Sequence, residues 1–310
     1  MGMHPRQIKT GVVCAQTQRT IDRQFLFKPD PVTRNIIGAS ASRAQIKFPV
    51  LIYWLECNIN HEQLGIAPID DSQESLTNVV RFKQLFHRLI VEEINRYLKR
   101  EGGMFSTPSR NVDCIDDESA QNQFEYALTN PVKDGLVDRI RHWGGFSSYG
   151  ALASGSEVDF TWVDRTAWHH KGGERSHKPP EAFTKTIRLE YTPLPGTEHL
   201  SPQQRQTMIR KRCREIEQSF REEREREGRN AMTHAAMEKV DHRDRPKTHP
   251  PKTRKPLCHC ACPMKRKKYR EDHREFLHAY RVASIVYRSG NYNVVFPTGS
   301  FKPPLIVAAA

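Results

Sequence analysis

The chain has 310 residues, a formal net charge of +13, 37% apolar residues and 27% charged ones. That length allows one large domain or a compact domain with an extension, and the positive excess favours a polyanionic partner, nucleic acid before membrane. The opening Met1-Gly2-Met3-His4-Pro5-Arg6-Gln7-Ile8-Lys9 lacks an apolar signal-peptide core and no run approaches membrane-spanning length, so a cytoplasmic protein without a membrane partner is expected.

Residues 11–21 read as a strand with Thr17 and Arg19 on one side at period two. Asp30-Pro31 supplies an N-cap and a proline at the first helical position, which predicts a helix to about Lys47. Phe48 to Glu56 is a β-rich apolar run, and a short break at Cys57-Asn58 leads to a second strand, Ile59 to Ala67, ended by Pro68. The tight link predicts an antiparallel pair. From Ser72 to Arg100, Leu76, Val79, Phe82, Phe86, Leu89 and Ile94 recur at helical spacing, and Gly102-Gly103 ends the element. Met104 to Ile115 reads as a strand. A helix then starts at Asp116-Asp117, carries Phe124, Tyr126 and Leu128, and is expected to stop at Pro131. The order β-α-β-β-α-β-α predicts an α+β sandwich, a small antiparallel sheet with helices on one face.

Past residue 150 the texture changes. Trp162, Trp168, Phe183, Leu189 and Tyr191 scatter among turns and short strands. Ser201-Pro202 opens a long charged helix to about Glu227, residues 228–256 read as a polar linker, and a basic helix runs from Met264 to Ser289. The domain reading is therefore 1–150 as a compact catalytic-type domain and 151–310 as a mostly helical, basic extension. Of seven cysteines, Cys14, Cys57, Cys114 and Cys213 stand alone and Cys258, Cys260 and Cys262 crowd together. That odd, uneven set argues against a disulfide framework and for a reducing compartment. The Cys258-His259-Cys260-Ala261-Cys262 run lacks the second, separated ligand pair of a structural zinc site, and reads as a cysteine-rich turn beside a basic helix.

The residues that could do chemistry sit in the first 150. On a strand His61 and Gln63 share a face and Glu62 points away, where an acid would be costly without a partner. An imidazole and an amide oxygen can together hold a divalent cation, although a His-x-Gln pair is weak as a motif by itself. Tyr126 and Asn130 lie one helical turn apart and can face the same spot. A tyrosine with an ordinary pKa near 10 is a poor nucleophile unless a cation stabilises phenolate and phosphate together. The competing reading of Tyr126 is a partly buried core aromatic.

Asn60-His61-Glu62-Gln63, together with Tyr126, Asn130-Pro131-Val132-Lys133 and Gly135, resembles the single-tyrosine transposases of the HUH nuclease superfamily, in their bacterial REP-associated or insertion-sequence form. Blocks at 19–27, 146–149 and 296–304 extend the resemblance. It implies a ferredoxin-like core and a metal-dependent endonuclease and strand transferase acting through a 5′-phosphotyrosine on single-stranded or hairpin DNA. It further implies Tyr126 as nucleophile and Mg2+ or Mn2+ held by His61, Gln63 and Asn130. The family carries an apolar residue where Glu62 stands and a second histidine where Gln63 stands. The alternative is a DNA-binding relative that has lost the activity. Arg19, Arg81, Lys83, Arg88 and Lys133 are the expected DNA contacts, joined by basic residues of segment 252–274 beginning with Lys252 and Arg254. Relatives work as monomers or as homodimers, so the resemblance leaves the oligomeric state open.

Overall fold

A computed structural model describes residues 5–106, 108–175, 177–246 and 255–304. Strand β1 (Val13–Arg19) leads to helix α1 (Pro31–Lys47), whose first turn is closed by Asp30 accepting from the Thr33 amide at 2.7 Å. Strands β2 (Leu51–Asn58) and β3 (His61–Ala67) form an antiparallel hairpin about a two-residue turn. Helix α2 (Gln73–Tyr97) is capped by Ser72, and strand β4 (Arg110–Cys114) is followed by helix α3 (Asp117–Lys133), capped by Asp116.

The later elements are α4 (Tyr149–Ser154), the paired strands β5 (Asp159–Val163) and β6 (Thr184–Arg188) with α5 (Arg165–His170) between them, and α6 (Pro202–Arg226). Short α7 (His234–Glu238), two-residue β7 (Cys258–His259) and α8 (Pro263–Arg288) complete the chain.

The main sheet has the order β2-β3-β1-β4-β7. Its first four strands are antiparallel, but β7 pairs parallel to β4, so the sheet is mixed rather than purely antiparallel. Helices cover both faces instead of one. Ile37, Leu64, Ile66, Phe82 and Phe86 pack α1 and α2 against one face, while Trp54, Phe124, Leu128 and Val132 pack α3 on the other, with Ile209 and Cys213 of α6 behind it. Covering both faces explains why β2 is buried almost throughout.

The carboxy-terminal half wraps the first half. Phe160 and Leu189 enter the core beneath α1 and α2, and Met237 of α7, inside the stretch read as a linker, enters the core around α3. The free edge of β2 is covered by backbone bonds from Cys57 to Phe146, Ser148 to Leu55 and Thr192 to Ile52, which blunts it against pairing with another chain.

Three local readings change. The strand expected from Met104 forms only from Arg110, because Pro108 has no N–H for a ladder and Phe105 makes a single isolated bridge to Thr20. Pro131 does not end α3. It removes one donor from the last turn, and the helix continues to Lys133 before Gly135 turns the chain at φ +69°. The cysteine-rich run adds a fifth strand to the main sheet over Cys258 and His259 only, and bends over Cys260 to Cys262 into α8. Lys252 and Arg254 lie outside the described residues.

Candidate functional site

The register places the site. Asn58, His61 and Arg19 are opposite one another across β2, β3 and β1, and Gln63, Thr17 and Arg110 form the next row toward β4. Side chains in a cross-strand row share a face, so both rows point toward α3. Glu62 points the other way into the core. It is fully buried, and its Oε1 meets Nε2 of His87 at 2.5 Å and accepts from the Gln16 amide at 3.1 Å. The acid that looked costly on the sequence thus has a histidine partner on α2, although its Oε2 has no partner among the described residues.

On the α3 face three neutral donors meet. The Asn130 amide approaches His61 Nε2 at 2.9 Å, and the Gln63 amide approaches the same nitrogen at 3.3 Å. The other ring nitrogen, Nδ1, lies 2.8 Å from Asn60 Oδ1, a carboxamide oxygen that can only accept. That contact puts the imidazole proton on Nδ1 and turns the Nε2 lone pair toward Gln63 and Asn130. Burial, then the charge of Arg19, pushes the His61 pKa down to about 4. The ring is therefore neutral at physiological pH, the form in which imidazole binds metal.

Tyr126 lies one turn before Asn130 on α3 and is 44% exposed, so it is not the core aromatic of the competing reading. Lys133 holds its ammonium 4.6 Å from the centre of the Tyr126 ring. Arg19 is close enough to feel Tyr126 and Asp134. Its guanidinium pKa is lowered by packing and by neighbouring Arg23 and Arg110, with Tyr126 and Asp134 pulling the other way. Asp134 accepts from the Asn58 amide at 3.3 Å, and burial raises its pKa. The outcome is an exposed phenol beside a group of cations, with the Asp134 carboxylate close to Arg19 and Lys133.

Of the other expected contacts, Arg19 and Lys133 are at the site. Arg81 and Arg88 are exposed on α2, with Arg88 paired to Glu92 at 3.7 Å, and Lys83 lines a cleft on the opposite face of the sheet. Sequence reasoning missed Asn58, Arg110, Asp134 and His259, and it counted Lys255 among the basic residues of segment 252–274 without placing it beside Gln63. Lys255 and His259 join Thr17, Gln63, Arg110 and Gln123 around a cleft of about 130 Å³ beside the Gln63 amide. Strand parity could have found Arg110; the distant His259 left no local signal, and the basic run around Lys255 did not say which face of the sheet it would meet.

No family profile matches the chain, and no curated protein matches it. One solved structure resembles it. That structure is a REP-associated tyrosine transposase bound to a REP hairpin, at 16% identity and a TM-score of 0.39, over 50% of this chain and 87% of that one. Similarity at that level leaves the function to be argued from the chain's own residues.

The donor set suits a hard divalent cation in part. His61 offers a directed lone pair, and rotation of the Asn130 and Gln63 amides would present two oxygens to the same point. All three donors are neutral, which makes for weak binding. Among the described residues no group of three or more His, Cys, Asp or Glu side chains could hold a metal. A cation here would therefore depend on His61 and the two amides.

Proposed function

We propose that the chain is a DNA-processing protein of the tyrosine-transposase type, cleaving and rejoining single-stranded or hairpin DNA through Tyr126. The observation that carries this reading is the meeting of Gln63 and Asn130 at Nε2 of His61, with the exposed Tyr126 one turn from Asn130 on the same helix. A structural helix has no need of an exposed phenol one turn from a buried amide that meets a neutral histidine.

In the proposed step Tyr126 Oη attacks a backbone phosphorus. The P–Oη bond forms, the P–O3′ bond breaks, and the departing 3′ oxygen takes up a proton to leave as a hydroxyl. The protein keeps the 5′ end as a phosphotyrosine ester, and the reverse attack by a 3′-hydroxyl reseals the strand without an energy source. Lys133 and Arg19 favour the developing phenolate and hold phosphate oxygens near it. His61, Gln63 and Asn130 would hold the cation, Mg2+ or Mn2+, which when bound supplies charge neutralisation at a non-bridging oxygen. Asn60 keeps His61 in the tautomer that this needs.

The all-neutral donor set favours a second reading, a DNA-binding protein whose cleavage is weak or lost. One experiment separates them. A labelled single-stranded hairpin is incubated with the full chain and Mn2+, and covalent capture is scored on a denaturing gel. Capture that disappears in chelator and in Tyr126→Phe, while binding changes less than about twofold, supports cleavage at Tyr126. Binding without capture under every metal condition supports the second reading. Capture retained by Tyr126→Phe puts the nucleophile elsewhere.

A further inference from the structure

The sheet face opposite His61 carries a second, larger feature. Cys14 and Gln18 of β1 and Ile66 of β3 alternate with the residues that face α3. With α2, α8 and the segments 5–9 and 301–304 they wall an open cleft of about 1720 Å³. Arg6, Lys9, Lys83, Lys255, Arg270 and Arg288 line it, and Asp113 is its single carboxylate among the described residues. Asp113 already accepts from the Tyr269 hydroxyl at 2.7 Å. Asp113 attracts Lys9, Lys83 and Lys255 at a distance, but none of these six cations, nor Lys302 beside them, forms an ion pair among the described residues, and Arg6 and Lys83 repel one another. So large an excess of cations over the one lining carboxylate calls for an anion from outside the chain.

The rings in the same walls say which anion. Phe105, Tyr269, Tyr280 and Phe301 are interleaved with the cations, and Lys9 sits 3.9 Å from the centre of the Tyr269 ring. A single phosphate would leave most of this volume and all of these rings unused. A charged groove that follows a backbone, set with aromatic faces for bases, is the physical pattern of single-strand binding. We propose that this cleft is a nucleic-acid groove for a single strand, separate from the site at Tyr126. The two lie on opposite faces of one sheet and, among the described residues, meet only at Lys255 and Pro256 before edge strand β7, so a phosphate at Tyr126 does not occupy the groove, and the groove does not depend on cleavage at Tyr126.

The test uses the full chain in chelator, so that cleavage is silent. A fluorescein-labelled oligothymidylate of about 20 nucleotides, spanning more than one strand-binding site of the usual size, is titrated by anisotropy across a salt series. An oligouridylate of the same length forms a second arm. The variant is Arg270→Glu with Arg288→Glu, both exposed on α8, checked for an unchanged thermal melt. The expected result is at least about tenfold weaker binding and a salt slope shallower by more than about one. Bromodeoxyuridine crosslinking should then place adducts on residues 269–301. Equal loss in both arms means that the groove takes DNA and RNA alike, and loss in one arm names the nucleic acid. Unchanged affinity in the double variant, or adducts confined to residues 110–133, overturns the proposal. Displacement by polyglutamate as effective as by unlabelled oligonucleotide, without ring adducts, also overturns it and assigns the cleft to an acidic peptide.

Discussion

Asn130 on α3 donates to Nε2 of His61 on β3 over 2.9 Å, tying the helix that carries Tyr126 to the strand that presents the imidazole. Asn130 is 3% exposed and Tyr126 is 44% exposed. The inner residue is thus placed to set the helix against the sheet, and the outer one is open to solvent.

Replacing Gln63 by histidine should strengthen cation binding. The amide already lies 3.3 Å from His61 Nε2, and a second imidazole in its place offers a stronger nitrogen donor than a carboxamide. Calorimetric titration with Mn2+ should show at least about a tenfold gain in affinity, with hairpin capture reached at correspondingly lower metal. Affinity that does not respond to Gln63→His would remove the cation from this cluster.

Asp116 should prove a joint between halves of the chain. One carboxylate oxygen caps α3 through the Ser119 amide at 2.8 Å, and the other accepts from the amides of Ala261 and Cys262 and from the Cys260 thiol. Asp116→Ala removes a cap worth about 1 kcal/mol and leaves further donors without their acceptor, for a total loss of about 2–3 kcal/mol. Asp116→Asn retains an acceptor and should lose less. Urea denaturation of both variants checks the order, and equal stability of Asp116→Ala and the parent would mean that the contact is not a joint.

The legible parts of this fold are those whose signals are local. Asp30, Ser72 and Asp116 announce three helix starts by a capping mechanism that needs no tertiary partner. Period two alone puts His61 and Gln63 on one face and Glu62 on the other. The rest depends on partners far along the chain. Strand β7 has two residues, too few for any periodicity, and exists because β4 offers an edge. Glu62 looked like a lesion because its partner His87 stands on α2, in what reads as an ordinary amphipathic helix. Pro131 looked like a stop because its ring is disfavoured inside helices, yet one lost bond near the end of α3 is tolerated.

Gly65 should resist any side chain. A Cβ there would fall 2.3 Å from the Trp54 ring, which is 1% exposed and lies 6.1 Å, centre to centre, from Phe124 of α3. The missing side chain lets the indole lie on the sheet and gives α3 a surface to rest on. Gly65→Val should destabilise by about 1–3 kcal/mol through overpacking, and should reduce capture by Tyr126 more than it reduces DNA binding. A denaturation midpoint equal to that of the parent would show that the indole moves aside freely.

Glu56 predicts how stability responds to alkali. It is 2% exposed, its Oε1 accepts from the amide and hydroxyl of Ser148 at 2.8 and 2.7 Å, and its Oε2 has no partner among the described residues. Burial raises its pKa to about 8, against the bonds from Ser148 and Ser147 that favour the charged form. The folded protein therefore keeps a proton that the unfolded chain releases above the ordinary glutamate range. Between about pH 4.3, the unfolded value, and pH 8 the folded state binds more protons, so this group's contribution to stability falls as pH rises. Glu56→Gln, always neutral, removes that slope. Urea midpoints measured at pH 6 and pH 9 should show the parent losing stability relative to the variant at the higher pH, and parallel behaviour of the two proteins would mean that Glu56 is already ionised in the folded state.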